Sequence, residues 1–132
     1  LSRDDSRLRR VVAGNPYTPV SILDRLAGDE LPLVRRLVAQ NPRTPSDLLA
    51  RLAADSNSDV RLAVADHPRA TSSLLSDLAS DQSPDVRYGL AENPHLPREI
   101  LIGLVKDENP YVSSRARKTL RRLESSLYEI SL

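Results

Sequence analysis

The stretch Val34-Arg35-Arg36-Leu37-Val38-Ala39-Gln40-Asn41-Pro42-Arg43-Thr44-Pro45-Ser46-Asp47-Leu48-Leu49-Ala50-Arg51-Leu52-Ala53-Ala54-Asp55 decides the fold. Val34, Leu37 and Val38 fall at i, i+3 and i+4, one face of a helix. The run stops at Asn41-Pro42, because a residue before proline is pushed out of the α region. Thr44-Pro45 then opens a second helix: threonine can accept from the free amides of a first turn, and proline is tolerated at the first helical position. Asp47 suits the positive end of that helix, and Leu48, Leu49, Leu52 and Ala53 form one apolar face. Each segment is about two turns long, below the ~12 residues at which isolated helices become even marginal in water. Both need neighbours.

The neighbours are copies. Asn15-Pro16, Asn41-Pro42, His67-Pro68 and Asn93-Pro94 recur every 26 residues, as do Asp29, Asp55, Asp81 and Asp107. The apolar column Leu8, Val34, Val60, Val86, Val112 keeps the same register without insertion or deletion. Thr18-Pro19 precedes Ile22, Leu23 and Leu26; Leu96-Pro97 precedes Ile100, Leu101 and Leu104; Ala70-Thr71 stands in the third copy. The chain divides into repeats 8–33, 34–59, 60–85 and 86–111, after a 1–7 remnant of a preceding repeat and before a divergent segment 112–132. Stacked units that bury each other's stripes are the logic of an α-solenoid. The expectation is one all-α repeat domain over residues 1–132: about four two-helix repeats, α/3₁₀ or α/α, closed by a C-terminal capping helix.

Composition fits this. The chain of 132 residues has no Cys, Met, Trp or Phe, and short helices stacked closely favour Leu, Val and Ala at fixed positions. Absent cysteine excludes disulfides, thiolate metal sites, iron–sulfur clusters and thiol nucleophiles. The longest apolar run, Ile100 to Val105 counting Gly103, is far short of the ~20 residues of a membrane span, and no basic-then-apolar leader opens the chain. A cytoplasmic protein is expected. Because it starts at Leu1 rather than Met, so is a piece of a longer one. A net charge of +1 argues against a dedicated polyanion binder.

The pattern Val34-Arg35-x-x-Val38-Ala39-x-Asn41-Pro42-x-Thr44-Pro45-x-x-Leu48-Leu49-x-x-Leu52-Ala53-x-Asp55 resembles the leucine-rich repeat variant family, and the match recurs over roughly 8–111. The resemblance implies a right-handed superhelix of alternating α and 3₁₀ helices. Asp55 and Arg61, six apart, are similar to the Asp and Arg ladder of HEAT repeats. Some members of the family carry a cysteine-rich iron–sulfur segment, which this chain lacks, so no cofactor is expected. The resemblance implies no enzymatic activity.

Candidate sites follow from the columns. Arg35, Arg61 and Arg87 lie six residues after Asp29, Asp55 and Asp81, and the ladder they suggest is structural, tying each loop to the next helix. At the corresponding place in the last segment stands Ser113. His67 replaces the asparagine before proline and His95 follows the next such proline; both read as turn residues, with no triad or metal-ligand spacing around them. Catalytic and metal sites are therefore not expected.

Positions that vary between repeats are the ones free to bind. Tyr17, Arg43, Arg69, Tyr88 and His95 are the candidate interaction edge, since Tyr and Arg are common at binding hot spots. In 112–132 the proline break is replaced by Thr119-Leu120, so Ala116, Leu120, Leu123, Leu127 and Ile130 can share one face of a longer helix. Its other face holds a basic patch of Arg115, Arg117, Lys118, Arg121 and Arg122, read as the solvated side of a cap. Leu1-Ser2-Arg3-Asp4 looks like the end of an earlier repeat, leaving Leu8, Val11 and Val12 to pair with further repeats or another chain. The expected function is a non-enzymatic scaffold for a protein or peptide; nucleic-acid binding through the basic helix and a structural or oligomerisation role are the alternatives.

Overall fold

The computed structural model describes residues 3–131, with side chains described for 5–126. Leu1 and Ser2 of the expected remnant, and the side chains of Arg3, Asp4, Leu127, Glu129 and Ile130, lie outside the described residues. The described chain forms α1 (Arg3–Gly14), α2 (Val20–Leu26), α3 (Pro32–Gln40), α4 (Ser46–Leu52), α5 (Ser58–Ala65), α6 (Ser72–Leu78), α7 (Pro84–Glu92), α8 (Arg98–Val105) and α9 (Pro110–Ser131). No strand occurs among the described residues, and the elements follow the helix-pair pattern of an all-α repeat array. They fall into two compact units, Leu1–Thr71 with α1–α5 and Ser72–Leu132 with α6–α9.

In the first unit α3 packs between α1 and α5, with α2 and α4 alongside. Val34, Val38, Leu49, Val60 and Val64 are fully buried. Each such side chain contributes about 1.5–3 kcal/mol by leaving water, which is how two-turn helices persist. In the second unit α9 lies against both α7 and α8, over fully buried Val86, Leu90, Leu101 and Ala116. No helix of the described residues is long and apolar enough to cross a membrane.

Of the two expected helix pairings the α/α one is found, and the helix ends show one departure from expectation. The second helix of each pair is α rather than 3₁₀: Leu49 N–H donates to Pro45 O at 3.0 Å and Ala53 N–H to Leu49 O at 2.8 Å, both four residues back. The threonines do not cap these helices. Pro19 and Pro45 take the N-cap position with extended backbone, which sets Thr18 and Thr44 one residue further out. Their hydroxyls therefore turn backwards and donate to Val12 O (2.5 Å) and Val38 O (2.6 Å), adding a second bond to carbonyls that also accept from Asn15 N–H and Asn41 N–H at the end of the preceding helix. Side-chain capping occurs instead at Asn57, which accepts from Asp59 N–H and Val60 N–H, and at Asn109, which accepts from Tyr111 N–H and Val112 N–H.

Candidate functional site

Two columns of polar residues knit the repeats together. Arg35 Nε donates to Asp55 Oδ2 at 2.8 Å and its Nη2 to Oδ1 at 3.1 Å, while Nη1 donates to Asp29 O at 2.7 Å. Arg9–Asp29 and Arg87–Asp107 repeat the ion pair, at 2.6 and 2.8 Å. Arg61 and Arg87 likewise donate to the main-chain oxygens of Asp55 and Asp81. The six-residue spacing thus marks a contact to the aspartate backbone, whereas these ion pairs run to the aspartate twenty residues on. The reason lies in the loop: Oδ1 of Asp29, Asp55, Asp81 and Asp107 also accepts from the amide two residues later, aiming the carboxylate back at the preceding arginine. Ser113 instead donates to Pro110 O and accepts from Arg117.

Burial pushes the Asp55 carboxyl up, but the Arg35 hydrogen bond, the Asn57 amide and the charges of Arg35 and Arg61 together hold it below its ordinary value. Arg35 is raised in turn, chiefly by its hydrogen bond to Asp55. A carboxyl depressed by folding stabilises the protein above its unfolded pKa of about 4, and that stabilisation is lost as pH falls through the lower folded value. Urea midpoints should therefore drop from about pH 4 downwards, with a smaller drop in Asp55→Asn; equal acid sensitivity of the two chains would contradict this.

The second column is Asn41, His67 and Thr119, all buried. Asn41 Nδ2 donates to Ala13 O (2.8 Å) and Asn15 O (2.9 Å) of the repeat before, and its Oδ1 accepts from Arg43 N–H. His67 does the same with a ring: Nδ1 accepts from Arg69 N–H (3.0 Å), so the proton sits on Nε2, which donates to Asn41 O (2.7 Å). Both ring nitrogens are thereby engaged with backbone. His95 is exposed, its amide donating to Asn93 Oδ1. No group of three or more metal-ligating side chains comes together among the described residues.

The varied positions remain on the surface. In the first unit Tyr17, Arg43 and Arg69 form one edge, with Arg43 Nη1 donating to Tyr17 O and Arg69 Nη1 to Arg43 O, at 3.2 and 3.5 Å. Tyr17 is 83% exposed. In the second unit Tyr88 does not join His95; it lines a cleft of about 340 Å³ with Pro84, Asp85, Asn109, Tyr111 and Val112. Tyr111, 76% exposed, was not among the candidates read from the sequence. Its column, Leu33, Asp59, Asp85, Tyr111, varies as much as the ones chosen, and that was the available signal. Residues two repeats earlier, Pro32, Leu33, Arg36, Asn57 and Asp59, line the corresponding cleft of the first unit. One position of the repeat therefore makes a cleft twice, aromatic and acidic in one unit and of mixed charge in the other.

On α9, Arg117, Lys118, Arg121 and Arg122 are exposed, while Arg115 is half-buried with its Nε unpartnered among the described residues. Arg98 of α8 pairs with Glu124 on α9 at 3.1 Å. At the other end Leu8 and Val11 are exposed and Val12 is half-buried.

Residues 35–94 match the family model described as the Leucine Rich Repeat Variant domain. No curated protein and no solved structure matches the chain.

Proposed function

Starting from a Leucine Rich Repeat Variant domain at residues 35–94, we propose that the chain is a non-enzymatic scaffold that binds a protein or peptide through its varied columns. One observation carries this reading. The recurring polar side chains are engaged in bonds between or within repeats, whereas the three described tyrosines, Tyr17, Tyr88 and Tyr111, all lie on the surface at varied positions. A core built from Leu, Val and Ala leaves these rings for partners. Tyrosine offers large contact area with only two rotatable bonds, which is why it dominates hot spots. The Tyr17–Arg43–Arg69 edge and the Tyr88–Tyr111 cleft are the two surfaces proposed, one in each unit. A cytoplasmic setting belongs to the same proposal.

Peptides selected from a random display library against the intact chain test it. Alanine at Tyr17, Arg43, Tyr88 or Tyr111 should weaken selected ligands by about tenfold or more, the size of a hot-spot loss. Gln40→Ala, on an exposed helix position, should leave them unchanged. Ligands indifferent to all four substitutions would overturn the reading. So would duplex DNA binding at moderate salt that disappears when Arg117, Lys118, Arg121 and Arg122 are neutralised, since counterion release makes phosphate contacts salt-sensitive.

A further inference from the structure

The second helices of the two units differ at the position of Arg51. In the first unit Arg51 of α4 reaches across to α2: Nη1 donates to Asp24 Oδ1 and Nη2 to Asp24 O, each at 3.0 Å. Its Nη2 stands 3.9 Å from where a Cβ on Gly28 would be, so the guanidinium lies in the groove between the helices. Two repeats later the same position is Gly103, and a Cβ built there meets nothing within 4 Å. The groove is open: a cleft of about 350 Å³ is lined by Ser76, Ser80, Glu99, Ile100, Gly103 and Asp107, among others. Ser76 and Ser80 occupy the places of Asp24 and Gly28.

We propose that this cleft between α6 and α8 takes an arginine side chain from a partner peptide. Resting on the peptide-binding reading above, the inference specifies a partner for a surface that reading does not use. Charge complementarity and an internal template support it. Asp107 is committed to Arg87, but Glu99 has no hydrogen-bond or ion-pair partner among the described residues. Residues 76–80 and 103–107 are the C-terminal ends of their helices, where the negative end of the helix dipole favours a cation. The equivalent groove shows which cation fits: it holds a guanidinium on the carboxylate and main-chain oxygen of Asp24, and where Ser76 replaces that aspartate Glu99 lines the cleft as the carboxylate. Lysine, with a compact ammonium, does not reproduce that fork.

The test uses the full chain, ¹⁵N-labelled, titrated with acetyl-Ser-Gly-Arg-Gly-Ser-amide and with its citrulline counterpart, equal in shape but uncharged. Amide shifts should concentrate at 76–80 and 103–107, and the citrulline peptide should bind about tenfold more weakly. Gly103→Arg should abolish the response by supplying the chain's own guanidinium. That variant should fold, since arginine is the better helix former and its Cβ enters open space. Glu99→Gln, which needs no new volume, should weaken binding independently. Equal binding of the two peptides, shifts centred elsewhere, or an undiminished response in Gly103→Arg would overturn the proposal. Because none of these residues belongs to the tyrosine surfaces, display-selected ligands sensitive to Tyr88 would still stand if the arginine probe failed.

Discussion

Arg35→Ala is expected to lower the free energy of unfolding by about 3 kcal/mol, the range seen when one member of a largely buried ion pair is removed. Arg35 and Asp55 side chains are 14% and 8% exposed, which places the loss at the lower edge of that range. The substitution deletes three bonds at once: two to the Asp55 carboxylate and one to Asp29 O. It leaves Asp55 with only the Asn57 amide and Arg61's charge to support its own. Arg35→Lys should recover part of the loss, because an ammonium restores charge but not the fork. Arg51→Ala removes a pair whose partners are 51% and 62% exposed, and exposed pairs contribute about 0–1 kcal/mol. Urea midpoints at constant slope measure both. A midpoint shift for Arg35→Ala no larger than for Arg51→Ala would show that the ladder is not what holds adjacent repeats together.

The repeat register, the helix pair and the break at Asn41-Pro42 were legible because they are properties of one strip of chain. Periodicity reports which face is apolar, and the buried Val34, Val38 and Leu49 follow from it directly. What could not be read is which neighbouring repeat a side chain reaches. An aspartate six residues before an arginine and another twenty after it belong to the same column, so spacing alone cannot separate them. The Oδ1 bond to the amide two residues on settles the direction, and that is loop geometry rather than pattern. Thr44 was misassigned for a similar reason, since a threonine before proline can serve either the helix it enters or the one it leaves. The surfaces were harder still. Tyr88 was visible as a varied residue, yet its partner Tyr111 is the last residue of repeat 86–111, in a column that was not chosen. Gly103 stood in the sequence as part of an apolar run, and the contact made by Arg51 shows what is missing around it.

Asn41→Leu is expected to be comparably damaging, at about 3 kcal/mol, because it strips partners from Ala13 O, Asn15 O and Arg43 N–H in a fully packed site. The column predicts how substitutions should rank. Asparagine carries two amide hydrogens and bonds two carbonyls of the repeat before. His67 has one N–H to give and bonds the outer carbonyl, Asn41 O. Thr119 also has one hydrogen, and bonds Ala91 O, the counterpart of Ala13 O, at 2.6 Å. Asn41→His should therefore keep the amide of Arg43 and the bond to Asn15 O, lose the one to Ala13 O, and cost about 1 kcal/mol. His67→Asn offers a second donor towards the carbonyl of Ala39 and should be neutral or stabilising by about that much. His67→Leu should cost about 2 kcal/mol, since Asn41 O and the Arg69 amide both lose a partner. Thr119→Val keeps shape and removes only the hydroxyl, so it should fall near Asn41→His. The measurable outcome is an order of midpoints, with His67→Asn highest, Asn41→His and Thr119→Val intermediate, and Asn41→Leu lowest. If Asn41→His were as damaging as Asn41→Leu, the imidazole at His67 would not be acting as an asparagine, and its place in the turn would need a different physical cause.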